Sequence, residues 1–128
     1  MRRRTLRIAA VVLATAFALL IVTADTMTAA EYAALPRDAG TLLDVRLGAE
    51  HRQGHIEGSV HANVLSPGFF GAVRELPRDE PVYAYCAHGP RAGLAVGVLR
   101  AMGFRRVVSV GGYPGLVAAG LPVRTEAG

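Results

Sequence analysis

Short apolar runs that alternate with helix-length segments constrain this chain more than any other feature. Thr41 to Val45, Val82 to Cys86 and Val107 to Val110 are too short for helices and too uniformly apolar for one-sided strands. They suit strands buried on both faces, as in a parallel sheet. The stretches between them read as helices. Thr28 and Glu31 form a capping box, which starts a helix running to about Leu35, ahead of Pro36. Arg46 to Arg52 reads as a short helical turn ending at Gly54, Gly58 to Val64 as an extended segment, and Phe69 to Leu76 as a helix stopped by Pro77. From Ala92 to Met102, the side chains Ala95, Val98, Leu99 and Met102 form one apolar stripe, and Gly103 ends the helix. Gly111-Gly112 reads as a turn before a last short helix, Tyr113 to Ala119. Strands and helices alternating at this spacing imply an α/β layer fold with a parallel sheet.

The first 24 residues read as a leader rather than as part of that fold. Arg2, Arg3, Arg4 and Arg7 precede an apolar run from Ile8 to Val22. Small residues follow at Val22-Thr-Ala24 and Thr28-Ala-Ala30, so the pattern is that of a secretory signal peptide. Cleavage after Ala24 would keep the Thr28 helix cap intact. The expected division is residues 1–24 as leader and 25–128 as one domain. An uncleaved signal anchor is the alternative, and it is the sole membrane contact expected. Either way the domain is expected to be extracytoplasmic, periplasmic or secreted. The formal charge of +4 comes from the leader: the four leading arginines leave ten arginines against ten acidic residues, with no lysine. A neutral domain with few aromatics gives no support for nucleic-acid binding.

Cys86, the single cysteine, sits where a strand should give way to a helix. Ala87-His-Gly-Pro-Arg91 reads as the tight loop between them. A thiol there faces the amides and positive dipole end of the helix, with Arg91 nearby, and such surroundings favour the nucleophilic thiolate. No intramolecular disulfide is available, so the sulfur either packs as a small apolar group or does single-thiol chemistry. His88 lies in the loop and would bias anion binding or point to solvent. Asp44 and Arg46 follow the strand expected beside Cys86, and a structural ion pair or turn cap explains them better than a role in shaping the loop floor does. His51, His55 and His61 together with Cys86 raise a zinc site. Gly54 would break a face shared by the first two, so no metal is expected.

Several segments together resemble the rhodanese family of sulfurtransferases. They are Leu43-Asp-Val-Arg46, Gly54-His-Ile-Glu-Gly-Ser-Val60, Tyr85-Cys-Ala-His-Gly-Pro-Arg91, Met102-Gly-Phe104, Val110-Gly-Gly112 and Gly120-Leu-Pro-Val123. They occur in family order and span nearly all of the chain after the leader. The resemblance implies a twisted parallel sheet flanked by helices, with the cysteine loop at the carboxyl end of a strand. It also implies that Cys86 accepts sulfane sulfur from a donor such as thiosulfate and passes it from a persulfide to a thiol or to cyanide. Donor binding then falls to Ala87, His88, Gly89, Arg91 and Ala92, with no metal and no organic cofactor.

Two departures bear on catalytic strength. Pro90 removes one amide donor, and Ala92 stands where many relatives carry a serine hydroxyl. Leu116 replaces a common tryptophan, a matter of packing. Two competing readings remain: a non-catalytic sulfur carrier or anion-binding module, and a phosphatase or arsenate reductase on the same fold. The spacing from Cys86 to Arg91 is C-x4-R, one residue shorter than the C-x5-R loop of the related cell-cycle phosphatases, and this favours sulfur.

Overall fold

The computed structural model describes residues 25–126, so the leader reading lies outside the described residues. Five strands form a parallel sheet in the order β1-β6-β5-β2-β4. They are β1 (Asp25–Thr26), β2 (Thr41–Asp44), β4 (Val60–His61), β5 (Val82–Cys86) and β6 (Val107–Gly112). β3 (His55–Ile56) and β7 (Val123–Arg124) pair antiparallel as a separate ribbon. The helices are α1 (Ala29–Ala33), α2 (Gly48–Gln53), α3 (Phe69–Val73), α4 (Pro90–Ala101) and α5 (Tyr113–Ala118). None of the helices among the described residues is long and apolar enough to cross a membrane.

β5 is buried along its whole length, with β2 and β6 as its neighbours. Its side chains alternate between two cores, as period-2 geometry requires. Val82, Ala84 and Cys86 join Leu43, Val45, Phe69, Val73, Ala95, Val96 and Leu99 on one face. Tyr83 and Tyr85 join Leu42, Ile56, Val108, Val110 and Leu116 on the other. Burial on both faces is why these strands read as unbroken apolar runs.

The Thr28 capping box forms as expected: the Glu31 amide donates to Thr28 Oγ1 at 3.1 Å and the Thr28 amide to Glu31 Oε1 at 3.2 Å. Four expectations are corrected. First, α4 starts at Pro90, so Pro90 and Arg91 belong to its first turn and the loop is only Ala87 to Gly89. Proline suits a first helical position, where its missing N–H has no intrahelical acceptor to lose. Second, the buried stripe of α4 is Ala92, Ala95, Val96 and Leu99, with Val98 and Met102 only partly covered. Third, Gly111 and Gly112 are not a turn but the end of β6. Ala84 pairs with Ser109 and Cys86 with Gly112, so β6 carries one extra residue there, and Gly111 takes a positive φ of 86° in that bulge. Fourth, the extended segment around His61 shrinks to two residues, Val60 and His61, while β1, β3 and β7 carried no sequence signal strong enough to expect them.

Candidate active site

The cysteine loop sits at the carboxyl end of the central strand, where open α/β sheets place their ligands. Cys86 ends β5 with no exposed surface, and α4 begins four residues later, at Pro90. The Gly89 amide donates to Cys86 Sγ at 2.9 Å. The first bond of α4 runs from the Gly93 amide to the Gly89 carbonyl at 3.1 Å, so the amides of Arg91 and Ala92 open the helix ahead of it. Ala92 is fully buried in the same apolar cluster as Cys86, and His88 is exposed. Of the expected donor-binding set, the structure brings Gly89, Arg91 and Ala92 around the strand end and turns His88 outward.

Arg91 is not free to reach a donor as the sequence suggests. Its Nη1 and Nη2 donate to Glu50 Oε1 and Oε2 at 2.7 and 3.1 Å. Glu50 is also tied to its own helix: the Leu47 amide donates to Oε1 at 3.1 Å. The hydrogen bond to Arg91 is the main cause holding the Glu50 carboxyl below its ordinary value. Conversely, that bond is the main cause raising the Arg91 guanidinium, and Cys86 acts in the same direction. Glu50 was not legible as a site residue, because its partner lies 41 positions away and its N-terminal helix position already explains it.

Gly112 is the second residue that sequence reasoning misplaced. A Cβ there would sit 2.6 Å from the Ala87 carbonyl oxygen and 3.2 Å from the His88 Cα. Both are backbone atoms of the cysteine loop and cannot rotate away. Gly112→Ala is therefore expected to push the loop off the strand end, at a cost of about 1–3 kcal/mol for the overpacking. It should also speed alkylation of the buried Cys86 in the native state. Melting temperature and alkylation rate both equal to those of the unmodified protein would show that the loop does not rest on Gly112.

Asp44 and Arg46 form the ordinary ion pair that the sequence allows, but a larger one than two residues suggest. Arg46 Nη2 and Nε donate to Asp44 Oδ2 and Oδ1 at 2.8 and 3.0 Å, and Asp44 is wholly buried. Tyr85 Oη donates to Asp44 Oδ2 at 3.0 Å, and the Ile56 amide donates to Tyr85 Oη at 3.0 Å. Arg46 Nη2 also donates to the Gly54 carbonyl at 2.6 Å, and its guanidinium stacks 4.4 Å from the centre of the Tyr113 ring. Burial works against the charged form of Asp44, yet the hydrogen bonds it makes with Arg46 and with His51 Nδ1, and the Arg46 charge, outweigh it and leave its carboxyl below the usual range. Tyr85 directly precedes Cys86 and points to the opposite face. The network thus fixes the end of β5 from behind, without touching the sulfur. Arg46, Glu50, Gln53, Gly54 and Tyr113 line an open depression at this end of the sheet.

Gly54 does not separate His51 from His55. The two rings stack with centroids 3.8 Å apart, and His61 stacks on His51 at 4.6 Å. Cys86 is not part of that cluster, so the four-residue zinc grouping weighed from the sequence does not form; His51 and His55 instead lie with Glu126.

Residues 28–119 match the family described as Rhodanese-like domain. Among curated proteins, the chain is similar to the thiosulfate sulfurtransferase GlpE of Actinobacillus pleuropneumoniae. The two are 34% identical over 92 residues, covering 71% of this chain and 83% of that protein. Among solved structures, the Alr3790 protein from Anabaena superposes with a TM-score of 0.71 at 25% identity, over 80% of this chain and 94% of that one. A rhodanese with anions from Escherichia coli superposes with a TM-score of 0.54 at 25% identity, over 66% and 96%.

Proposed function

The chain belongs to the rhodanese family of sulfurtransferases, and from that premise we propose that Cys86 shuttles sulfane sulfur as a persulfide between thiosulfate and a thiophilic acceptor. The observation that carries the reading is the Gly89 amide on Cys86 Sγ at the mouth of α4. An N–H aimed at the sulfur, beside a helix N-terminus, favours an anion there. In the first half-reaction the Cys86 thiolate attacks the outer sulfur of thiosulfate. A new S–S bond forms, the S–S bond of thiosulfate breaks, and its electron pair leaves with sulfite. In the second, cyanide or a thiolate attacks the outer persulfide sulfur and Cys86 leaves as thiolate. Atoms and charge balance at each step without a metal or organic cofactor, in a ping-pong scheme.

Ala87, Gly89 and Ala92 shape the cradle in this reading, and Arg91 supplies positive charge that Glu50 partly neutralises. His88 stands at the outer rim, where it meets the incoming anion rather than the sulfur. The position of Glu50 has a kinetic consequence. Glu50→Gln is expected to lower the KM for thiosulfate about two- to fivefold, the size of a partly exposed ion pair worth up to roughly 1 kcal/mol. A KM that is unchanged or higher would mean that Arg91 does not face the donor.

The test pairs two substrates with one preparation. Sulfur transfer from thiosulfate to cyanide should be measurable, and hydrolysis of aryl phosphates negligible, because three loop residues make a cradle too small for a tetrahedral phosphoryl group. Phosphate hydrolysis without sulfur transfer would overturn the assignment. Loading of Cys86 without turnover would instead point to a carrier emptied by a partner protein. We also propose that residues 1–24 direct export, so that the domain beginning at Asp25 works in an extracytoplasmic space. A domain starting at Asp25 in that fraction is the expected finding, and soluble cytosolic protein retaining Met1 would contradict it.

A further inference from the structure

We propose that His51, His55 and Glu126 form a binding site for a single zinc-type divalent ion, apart from the cysteine loop and independent of its chemistry. One ring nitrogen of each histidine and one carboxylate oxygen of Glu126 lie within 4.8 Å of one another. His51 Nε2 and Glu126 Oε1 are already 3.7 Å apart. Two ligand atoms on a tetrahedral zinc, with bonds of about 2.0–2.1 Å, stand roughly 3.3 Å apart. Rotation of the exposed Glu126 side chain, together with a tilt of the partly buried His55 ring off its near-parallel stack on His51, closes the set.

The hydrogen bonds behind the histidines fix which nitrogens can bind. His51 Nδ1 lies 2.9 Å from Asp44 Oδ2, and an ionised carboxylate only accepts. His51 Nδ1 therefore carries the proton, and Nε2 holds the lone pair. His55 Nδ1 lies 2.9 Å from the His51 carbonyl oxygen, which imposes the same tautomer on the second ring. Carboxylate and carbonyl acceptors behind the ring are the usual support for metal-binding histidines, because they orient the ring and raise its basicity.

The third ligand arrives on a fixed arm. The Glu126 amide donates to the Arg52 carbonyl at 3.2 Å, and β7 pairs Arg124 with His55 two residues earlier. The end of the described chain is thus already docked on α2 and β3. An ion held by two imidazoles and one carboxylate would clasp that end to both, with its remaining position open to solvent. Two nitrogens and one oxygen without thiolate suit zinc and its neighbours better than calcium or magnesium, which take all-oxygen sets.

The test is titration of Zn2+ into the full chain carrying Cys86→Ser, which removes the competing sulfur. Saturable 1:1 binding is expected, weakened at least about tenfold by His55→Ala and by Glu126→Gln. Both side chains reach the surface, and metal-free melting temperatures check that each variant is folded. Co2+ added to the unmodified protein gives a second readout: a tetrahedral d–d spectrum without a thiolate-to-metal band. Binding that is absent, that requires Cys86, or that survives either substitution at full strength overturns the proposal, as does a thiolate band in the Co2+ spectrum.

Discussion

Cys86→Ser is expected to reduce sulfur transfer to background while leaving the protein folded. A serine hydroxyl nearly matches the thiol in shape and can accept the Gly89 amide that now points at the sulfur. The polar substitution at a fully buried site should cost on the order of 1 kcal/mol, the scale of one hydrogen bond. Chemically the change is total. A hydroxyl is far too weak an acid to ionise at this loop, and oxygen does not form the sulfur–sulfur bond that stores the transferred atom. The chain contains no other cysteine to take over. Turnover from thiosulfate to cyanide is the measurement. A folded variant that still turns over would end the persulfide mechanism, whatever the fold.

The largest effect on stability should come from Asp44→Ala. The substitution leaves the Arg46 guanidinium, the Tyr85 hydroxyl and the His51 Nδ1–H without the carboxylate they share. Removing one partner of a buried ion pair typically costs about 3–5 kcal/mol, because the remaining charge stays out of water. That is a large share of the roughly 5–15 kcal/mol that holds a domain folded. For a domain of this size it lowers the melting temperature by more than about 10 °C. Replacing both charges, as Asp44→Leu with Arg46→Met, should recover much of the loss, since a packed apolar pair of similar volume is often no less stable. If the single variant melts within a degree or two of the parent, the network contributes geometry but no stability.

The layers of the fold were legible because they rest on local patterns. Apolar runs at Thr41 to Val45 and Val82 to Cys86 announce strands buried on both faces, and the Thr28–Glu31 box marks a helix start that the structure reproduces. The two-residue strands β1, β3 and β7 were not legible, since no run that short has a period to read. The site divides in the same way. Cys86 and the loop were legible from the junction of two patterns, and the start of α4 at Pro90 rather than Ala92 is within the usual error of a helix boundary.

What the sequence hides is pairing across distance. Glu50 meets Arg91, and Gly112 touches Ala87, only because β2, β5 and β6 lie side by side in the sheet. Gly54 looked like a barrier between His51 and His55, since a glycine ends the helix there. It does end α2, but the chain turns so that the His55 ring folds back over His51 and hydrogen-bonds its carbonyl.

Cys86 should hold a sulfur atom between the two half-reactions. Intact-mass and peptide spectrometry of the purified protein, before and after thiosulfate and then after cyanide, tests it most directly. A gain of one sulfur atom is expected on the peptide that contains Cys86, lost again on adding cyanide. A mass that never changes, or a change on any other residue, would contradict it.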